Sequence, residues 1–314
     1  MLCRHCYEYS YTRCEGCGCI VSNDEANYVD GDDYPYCDEC YRKLEEEPIK
    51  SYGYKPEPIF YGSGNLFYGV ELEIDKGGER GDYAEEILNT ANAHNLHLYA
   101  KHDGSIDDGF ELVSHPMTLE YHTNTMNWSN VMDMALSLDY RSHQTQTCGL
   151  HIHVNRKAFG NDYDTQEDSI SRIVHFVEMH WNELLKFSRR TEANMNRWAS
   201  RYGISTTAKD TYKNAKAKHC GRYVAINLEN YTTIEFRIFR GTLRYKTFLA
   251  TLQLVDEICN LAIKLSDREL EGMSWSDFVI QIDSKNKPEL IEYLKARRLY
   301  VNEPVAVSAE TEGE

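Results

Sequence analysis

The stretch CGLHIHVN, from Cys148 to Asn155, reads as a short β-strand and shows the design on which the fold depends. Side chains alternate between the two faces of a strand, so His151 and His153 share one face and the neighbouring aliphatic side chains share the other. Two imidazoles on one face can bind a metal ion or donate hydrogen bonds to a phosphate. A strand with two surface histidines is the alternative, and the motif alone leaves both interpretations open.

Three further predicted strands repeat this design, with aliphatic residues on one face and charged residues on the other or within the run. They are Phe67–Asp75, the short apolar run Phe110–Val113, and Thr233–Gly241. The charged residues are Glu71 and Glu73 on the first, Glu111 on the second, and Glu235 and Arg237 on the third. Acids on an apolar strand cost free energy unless water solvates them or they bind cations. The alternative to cation binding is that these strands are half-exposed, with a surface ion pair between Glu235 and Arg237 on the third.

If these charged faces coincide, the sheet presents four carboxylates, two imidazoles and at least one guanidinium group. Oxygen ligands in this number suit hard cations such as Mg2+ or Mn2+. An arginine beside such ions suits a polyphosphate, and two divalent ions with an arginine are a layout for phosphoryl transfer. The sequence contains neither GxxxxGKS/T nor GxGxxG, so it gives no support to a P-loop or a Rossmann mode of nucleotide binding.

Composition excludes several classes of protein. The chain has 314 residues, of which 41% are hydrophobic, as in a globular protein. Its net charge of -16 disfavours broad binding to nucleic acid or to anionic membranes. The N-terminus lacks the apolar stretch of a signal peptide, and no apolar run is long enough to cross a bilayer. We therefore expect a cytoplasmic protein without a membrane partner.

Residues 1–46 are rich in cysteine and predict a zinc-binding module. Cys14, Cys17, Cys37 and Cys40 have the spacing of a tetrahedral four-thiolate Zn2+ site. The segment resembles a zinc ribbon or half of a LIM-type domain. Cys3, His5, Cys6 and Cys19 remain, and they could form a second site or share ligands with the first. Docking of a protein partner or substrate is one role for this module, and an N-terminal cap on the main domain is the other.

The rest of the chain divides by composition. Residues 47–62 read as a linker, residues 63–300 as the main domain, and residues 301–314 as an acidic disordered tail. Apolar spacing predicts helices at Asp82–His97, Leu119–Leu138, Thr165–Leu185 and Phe248–Ser266. The polar, lysine-rich stretch from Gly203 to His219 predicts a mobile loop.

Several motifs, in order along the chain, resemble those of the amidoligase family of phages and bacteria, which is part of the glutamine synthetase superfamily of carboxylate–amine ligases. They are GVELE at Gly69–Glu73, DGS at Asp103–Ser105, ELVSHP at Glu111–Pro116, CGLHIHV at Cys148–Val154 and TIEFRIFRGTL at Thr233–Leu243. The resemblance covers about residues 66 to 265 and does not include the zinc module.

This resemblance implies an α+β fold, with an antiparallel sheet whose concave face holds the site and whose back is covered by helices. It implies metal ligands that hold Mg2+ or Mn2+ against the phosphates of ATP: Glu71, Glu73, Glu111, His151 and Glu235. His153 would approach the nucleotide, and Arg237 would stabilise the transferred phosphoryl group or the substrate carboxylate. Arg222, Arg240 and Arg244 are further candidates for binding the nucleotide. Which of the two histidines binds metal is inferred by analogy only.

The implied reaction is ATP-dependent amide formation between a small-molecule or peptide carboxylate and an amine, through an acyl-phosphate. Glu235, Arg237 and His153 would be the catalytic residues. The chain between the motifs is shorter than in glutamine synthetase, so the amine pocket cannot be carried over. A metal-dependent hydrolase or phosphotransferase on the same scaffold is the first alternative. A non-catalytic adaptor that binds partners through its zinc module is the second.

Overall fold

The computed structural model describes residues 3–29, 33–145, 147–218 and 221–301, apart from the side chains of His5 and Cys6. Contacts divide the chain into two compact units. The first comprises Met1–His151 and Gly241–Tyr245, and the second comprises Ile152–Arg240 and Lys246–Glu314. Both units contain helices and strands, which confirms the predicted α+β class.

The boundaries that we placed after residues 46, 62 and 300 are not tested by this division and stay predictions. Residues 47–62, predicted as a linker, contain one short strand, and Tyr61 forms an isolated bridge with Met117. The predicted acidic tail lies outside the described residues from residue 302 onward.

The first unit carries short elements in its cysteine-rich segment and longer ones after it. Its strands are β1 (Tyr11–Arg13), β2 (Ile20–Ser22), β3 (Asn27–Tyr28), β4 (Pro35–Tyr36), β5 (Ile49–Lys50), β6 (Tyr68–Ile74), β7 (Leu98–Lys101) and β8 (Phe110–Ser114). Its helices are α1 (Arg4–Ser10), α2 (Asp38–Glu46), α3 (Gly81–Ala91), α4 (Leu119–Asn124) and α5 (Trp128–Ser137). β9 (Gly149–Asn155) begins in this unit and continues into the second.

The sheet of the first unit is mixed rather than purely antiparallel. β8 pairs antiparallel with β6 on one side and with β7 on the other, so Glu111 lies opposite both Glu73 and Lys101. β5 then pairs with β7 in parallel, with Lys50 in register with Lys101. The expectation of an antiparallel sheet is therefore wrong for β5. A parallel pair needs a long crossover connection, and residues 51–97 between β5 and β7 supply it.

The aliphatic face of β6 is fully buried, as the alternation predicts. Val70, Leu72 and Ile74 have no exposed surface. α3 buries Ala84 and Ile87 and packs against β7 and α5. Burial of this face fixes the register of β6, because a slip by one residue would exchange its aliphatic and acidic faces.

Three predicted helices differ from the structure, and the one predicted over Thr165–Leu185 is interrupted at His180. α3 ends at Ala91 because the side chain of Asn92 bonds the next strand: its Oδ1 accepts from the N–H groups of His97 and Leu98, and its Nδ2 donates to the carbonyl of Leu98. These bonds turn the chain into β7. The helix predicted over Leu119–Leu138 is broken into α4 and α5, with Thr118 capping the first by accepting from the N–H of Tyr121.

The second unit is mostly helical around one hairpin. Its helices are α6 (Tyr163–Met179), α7 (Trp181–Ser188), α8 (Glu192–Trp198), α9 (Ala208–Ala217), α10 (Tyr245–Lys264, whose first residue belongs to the first unit), α11 (Asp267–Glu271), α12 (Trp275–Gln281) and α13 (Pro288–Ala296). Its hairpin strands are β10 (Ile226–Asn227) and β11 (Thr233–Arg240), with Asn227 opposite Glu235. No helix in the described part of the chain is long and apolar enough to span a membrane.

The prediction of a mobile loop over Gly203–His219 is wrong, because residues Ala208–Ala217 form the helix α9. Thr207 caps this helix by accepting from the N–H of Asp210. Ala208, Thr211 and Ala215 are buried, and α9 packs against α6. The lysine-rich surface of the segment concealed this small apolar stripe.

Replacing Gly109 by alanine is expected to destabilise the first unit by about 1–3 kcal/mol, the usual cost of forcing extra atoms into packed structure. A Cβ at Gly109 would lie 2.0 Å from the carbonyl oxygen of Ile74, which belongs to the backbone and cannot move aside cheaply. Gly104→Ala is the matched control, since no atom lies within 4 Å of a Cβ there. Urea denaturation measures both variants, and equal stabilities would contradict this packing.

Candidate functional site

Register brings three predicted acids together in the first unit. Glu73 lies directly opposite Glu111, and Glu71 lies opposite Val113, two residues further along β8. Directly opposed residues share a face of the sheet, with Cβ atoms about 4.5–5.5 Å apart. Glu73 and Glu111 are only 3% and 4% exposed, whereas Glu71 is half-buried. The strand alternation seen in the sequence therefore places all three carboxylates on one face.

His151 joins this acidic face. Its Nδ1 lies 3.2 Å from Oε2 of Glu71, and its Nε2 lies 3.7 Å from Oε1 of Glu73. Ligand atoms of Glu71, Glu111 and His151 all lie within 4.8 Å of one another. Glu73 is held nearby, since the N–H of Gly149 donates to its Oε2. The structure thus brings together the four predicted metal ligands that belong to this unit.

Asp103 is a member of the site that we did not predict as a ligand. Its carboxylate lies within 4.8 Å of ligand oxygens of Glu73 and Glu111. Its Oδ1 also accepts a hydrogen bond of 2.7 Å from the N–H of Ser105, which orients the side chain. The DGS motif was the available signal, but an Asp-Gly pair is also typical of a turn. Glu111 belongs to both groups of ligands, so one carboxylate can bridge two cation positions.

The electrostatics of this cluster favour a bound cation. Burial raises the pKa of Glu111 well above its ordinary value, and the charges of Glu71 and Glu73 raise it further, while Lys101 opposes the effect. Burial and the charges of Glu71 and Glu111 likewise raise the pKa of the Tyr99 hydroxyl. A divalent cation would neutralise these crowded carboxylates, and oxygen ligands are those that Mg2+ and Mn2+ prefer. The residues present therefore fit such an ion.

The second unit holds the predicted pair of Glu235 and Arg237 on β11. Nη1 of Arg237 bonds Oε1 of Glu235, and Nδ2 of Asn227 donates to Oε2 of Glu235 at 2.8 Å. Glu235 is 3% exposed, so the pair is buried and is not the surface ion pair that was one alternative. His153 lies with its Nδ1 3.3 Å from Oγ1 of Thr233.

The three weaker arginine candidates lie in different surroundings. Arg222 is exposed, and both it and Arg237 place their guanidinium groups near the ring of Tyr223, at 5.1 and 5.8 Å from the ring centroid. Arg240 is half-buried at the end of β11. Arg244 is exposed and belongs to the first unit. The roles of all these residues stay predictions.

Comparison with known proteins identifies the family. A family model described as "Putative amidoligase enzyme" matches residues 85–259, which is 175 of the 314 residues. The chain belongs to the amidoligase family. This confirms the resemblance seen in the motifs and supports a ligase activity. The matched range includes most of the site residues: Asp103, Glu111, the two histidines of β9, Glu235 and Arg237. The acids of this amidoligase on β6 precede the matched range.

Other comparisons add little for this amidoligase. No curated protein matches its sequence. One solved structure that it resembles is a bifunctional glutathione synthetase from Pasteurella multocida, with 13% sequence identity and a TM-score of 0.36. The alignment covers 76% of the amidoligase chain and 45% of the synthetase, so the chain spans less than half the length of that protein. A likeness of this size carries no conclusion about the fold.

The cysteine-rich segment of the amidoligase forms a separate candidate metal site. The sulfur atoms of Cys14, Cys17, Cys37 and Cys40 lie within 4.8 Å of one another, and those of Cys17 and Cys37 are 3.8 Å apart. Tetrahedral Zn2+ with Zn–S bonds of about 2.3 Å places its sulfur ligands roughly 3.8 Å apart, so this spacing fits zinc. Cys3 is exposed and outside this group, and the side chain of Cys6 lies outside the described residues.

The thiol of Cys14 is suited to metal binding. Burial raises its pKa, but backbone hydrogen bonds from Cys37 and Cys17 outweigh this effect and lower the pKa to about 6. The thiolate is the form that binds metal. The predicted zinc ligands are thus close together and at least one is readily deprotonated, which fits a four-thiolate site.

Proposed function

We propose that this amidoligase joins a carboxylate to an amine at the expense of ATP, with Mg2+ or Mn2+ bound by the acids of the first unit. The observation that carries the proposal is the cluster around the buried carboxylate of Glu111. Glu111 forms one group of ligands with Glu71 and His151, and a second group with Glu73 and Asp103. Four ligand side chains around the bridging carboxylate of Glu111 suit two divalent ions, a layout that recurs in enzymes of phosphoryl transfer. Family membership supports the ligase class.

Two groups of residues would hold the ions. Glu71, Glu111 and His151 would hold one, and Glu73, Asp103 and Glu111 the other. When bound, the cations would neutralise charge on the phosphates of ATP. For the second unit, the family resemblance assigns Glu235 to metal binding, His153 to the nucleotide, and Arg237 to the transferred phosphoryl group or the substrate carboxylate.

The reaction proceeds in two displacements. A carboxylate oxygen of the acid attacks the γ-phosphorus of ATP, the bond from that phosphorus to the β,γ-bridging oxygen breaks, and ADP leaves with the electron pair. The amine nitrogen then attacks the acyl carbon of the resulting acyl-phosphate. The bond from this carbon to the phosphate oxygen breaks, phosphate leaves, and the nitrogen loses a proton. The products are an amide, ADP and phosphate.

The cysteine cluster has a separate proposed role. Structural Zn2+ on Cys14, Cys17, Cys37 and Cys40 would stabilise residues 1–46, which are too few to build a sufficient hydrophobic core. The module would then be available to dock a protein partner or a peptide substrate. This role is independent of the reaction above and is tested separately.

Mass spectrometry of reaction products is the decisive test of the proposed reaction. The full chain is incubated with ATP, Mg2+ and a mixture of amino acids and peptides. We expect a new product whose mass equals acid plus amine minus water, with ADP and phosphate released only when both are present. Loss of ATP without an amide would favour the hydrolase or phosphotransferase. Failure to bind ATP with Mg2+ in calorimetry would favour the non-catalytic adaptor.

Replacing Glu235 by glutamine tests the assignment in the second unit. We expect Mg-ATP turnover to fall by about 100-fold or more, the usual scale for loss of a group that stabilises transition-state charge. Circular dichroism should show an unchanged fold, since glutamine has nearly the same shape. Glu229→Gln is the matched control, because Glu229 is exposed in the same hairpin. Normal turnover in Glu235→Gln would refute the metal-binding role of this residue.

A further inference from the structure

Lys101 is a buried lysine on the same face of the first sheet as the carboxylates. It ends β7 and lies directly opposite Glu111, while Tyr99, two residues earlier, lies opposite Val113. Residues two apart on a strand share a face, so both side chains are on the face that carries Glu71, Glu73 and Glu111. Lys101 is only 8% exposed. Lysine is rarely so buried unless it is paired.

The ammonium group of Lys101 is poorly satisfied by the protein. Its Nζ lies 4.0 Å from Oε2 of Glu111, which is too long for a hydrogen bond. It also lies 5.5 Å from the centroid of the Tyr52 ring. It makes no hydrogen bond to any residue in the described part of the chain. An ammonium group has three donors, so this one has the capacity to bind a further oxygen.

Lys287, in the second unit, shows how this chain satisfies a lysine buried for structural reasons. It is also 8% exposed. Its Nζ lies 2.6 Å from Oδ2 of Asp256 and makes a second short ion pair with Glu257. Lys101 makes no ion pair as short as these, although Glu111 lies directly opposite it on β8. The difference indicates that the ammonium group of Lys101 is reserved for a ligand.

We propose that Lys101 binds the carboxylate of the acid substrate beside the cations. This proposal rests on the proposed function. A cation held by Glu73, Asp103 and Glu111 would take up the negative charge that now faces Lys101, and the ammonium group would then pair with an incoming anion. Lys101 is thereby a substrate-binding residue of the ligase.

The surroundings of Lys101 favour an organic acid over a phosphate of ATP as that anion. The ring of Tyr52 lies over the ammonium group, and the rings of Tyr54 and Tyr99 pack edge to face with centroids 5.5 Å apart. Aromatic rings favour contact with the carbon skeleton of a ligand and offer no charge to a triphosphate. The hydroxyl of Tyr99 makes no hydrogen bond to a described residue, so it retains the capacity to bind a ligand oxygen. The substrate class is thus an acid with an apolar or aromatic group near its carboxylate.

Lys101→Met tests this role, with two ligands measured separately in the presence of Mg2+. The probes are phenylacetate, which is a carboxylate with one aromatic ring, and a non-hydrolysable ATP analogue, each titrated into the full chain by calorimetry. We expect phenylacetate to bind about 10- to 100-fold more weakly, as for loss of a charged hydrogen bond, and the nucleotide analogue to bind within about 2-fold of wild type. Lys101→Arg keeps the charge and should recover part of the affinity for phenylacetate.

Each other outcome overturns the proposal. Weaker nucleotide binding with unchanged phenylacetate binding would assign Lys101 to a phosphate. A change in Mg2+ affinity alone would show that Lys101 merely neutralises Glu111. Lys264→Met, at an exposed position in the last turn of α10, is the matched control and should change the binding of neither ligand. Failure of the wild-type chain to form any amide would refute the ligase reaction itself, whereas amide formation with an unchanged KM for the acid in Lys101→Met would refute only the role of Lys101.

Discussion

Replacing Glu111 by glutamine is expected to abolish amide formation and, in the same protein, to raise the stability of the metal-free chain. Glu111 supplies a ligand oxygen to both cation groups, so the variant loses a ligand at each. We expect turnover to fall by about 100-fold or more. Without metal, the charge of Glu111 is buried beside Glu71 and Glu73, and a neutral amide removes that repulsion. A gain of 1 kcal/mol corresponds to a rise in Tm of roughly 1–2 °C for a chain of this size.

The stability gain from Glu111→Gln should depend on pH. The pKa of Glu111 is raised in the folded state, by burial first and then by the neighbouring acids. The folded metal-free chain therefore binds more protons at this position than the unfolded chain does. Its stability is highest below the ordinary pKa of a carboxyl group and falls as pH rises through the raised pKa. Glu111→Gln does not lose stability in this way as pH rises. The difference in Tm between the variant and wild type, measured by scanning calorimetry with EDTA, should therefore increase with pH.

Glu85→Gln is the control for this experiment, because it removes the same charge from an exposed position on α3. It should leave both turnover and metal-free Tm unchanged. Addition of Mg2+ should raise the Tm of wild type and of Glu85→Gln, and should have little effect on Glu111→Gln. If Glu111→Gln is less stable than wild type in EDTA, the buried carboxylate is satisfied in some other way and the cation site is wrongly placed.

Replacing Cys17 by serine is expected to release the zinc ion and unfold the cysteine-rich segment over residues 1–46. The four thiolates surround one position, and serine is a poor ligand for Zn2+. Measurement of bound zinc should show loss of one equivalent, and limited proteolysis should cleave this segment. Binding of ATP with Mg2+ should persist, since the acids of the sheet are not zinc ligands. A chelator selective for zinc should reproduce both results with the wild-type chain.

Cys19→Ser is the matched control for the zinc site. Cys19 is exposed, and its pKa is raised mainly by a side-chain hydrogen bond with Cys17, so it is a near neighbour of the cluster. It lies outside the group of four, and its replacement should leave the zinc content unchanged. Zinc loss in Cys19→Ser with retention in Cys17→Ser would reassign the ligands. Loss of ATP binding on zinc removal would show that the two sites depend on each other.

The acidic face of the first sheet could be predicted from the sequence because it depends on a single property of strands. Glu71 and Glu73 alternate with buried aliphatic residues, and Glu111 interrupts an apolar run, so burial of the aliphatic side chains dictates where the acids point. His151 follows the same rule on β9. The zinc ligands form two CxxC pairs, Cys14 with Cys17 and Cys37 with Cys40, and each pair is also local. In each case the pattern lies within a few residues.

Features that depend on contacts distant in sequence could not be predicted in this way. Asp103 reaches the cluster because a turn places it beside Glu73 and Glu111, and the sequence of the turn does not specify that contact. The end of α3 is a local exception, because Asn92 bonds the backbone of Leu98 six residues later and apolar spacing gives no sign of this contact. The proximity of Lys101 to Glu111 depends on strand register, and a lysine that ends a short apolar run before a polar turn gives no sign of burial.

The parallel strand β5 also affects how the protein can be shortened. It covers one side of β7, the strand that carries Lys101. A chain that began at residue 63, where composition alone places the start of the main domain, would lack β5 and expose the backbone N–H and C=O groups of β7. Unpaired edges of this kind recruit strands from other molecules and cause aggregation. Dissection of the two metal sites is therefore better done by single substitutions than by truncation.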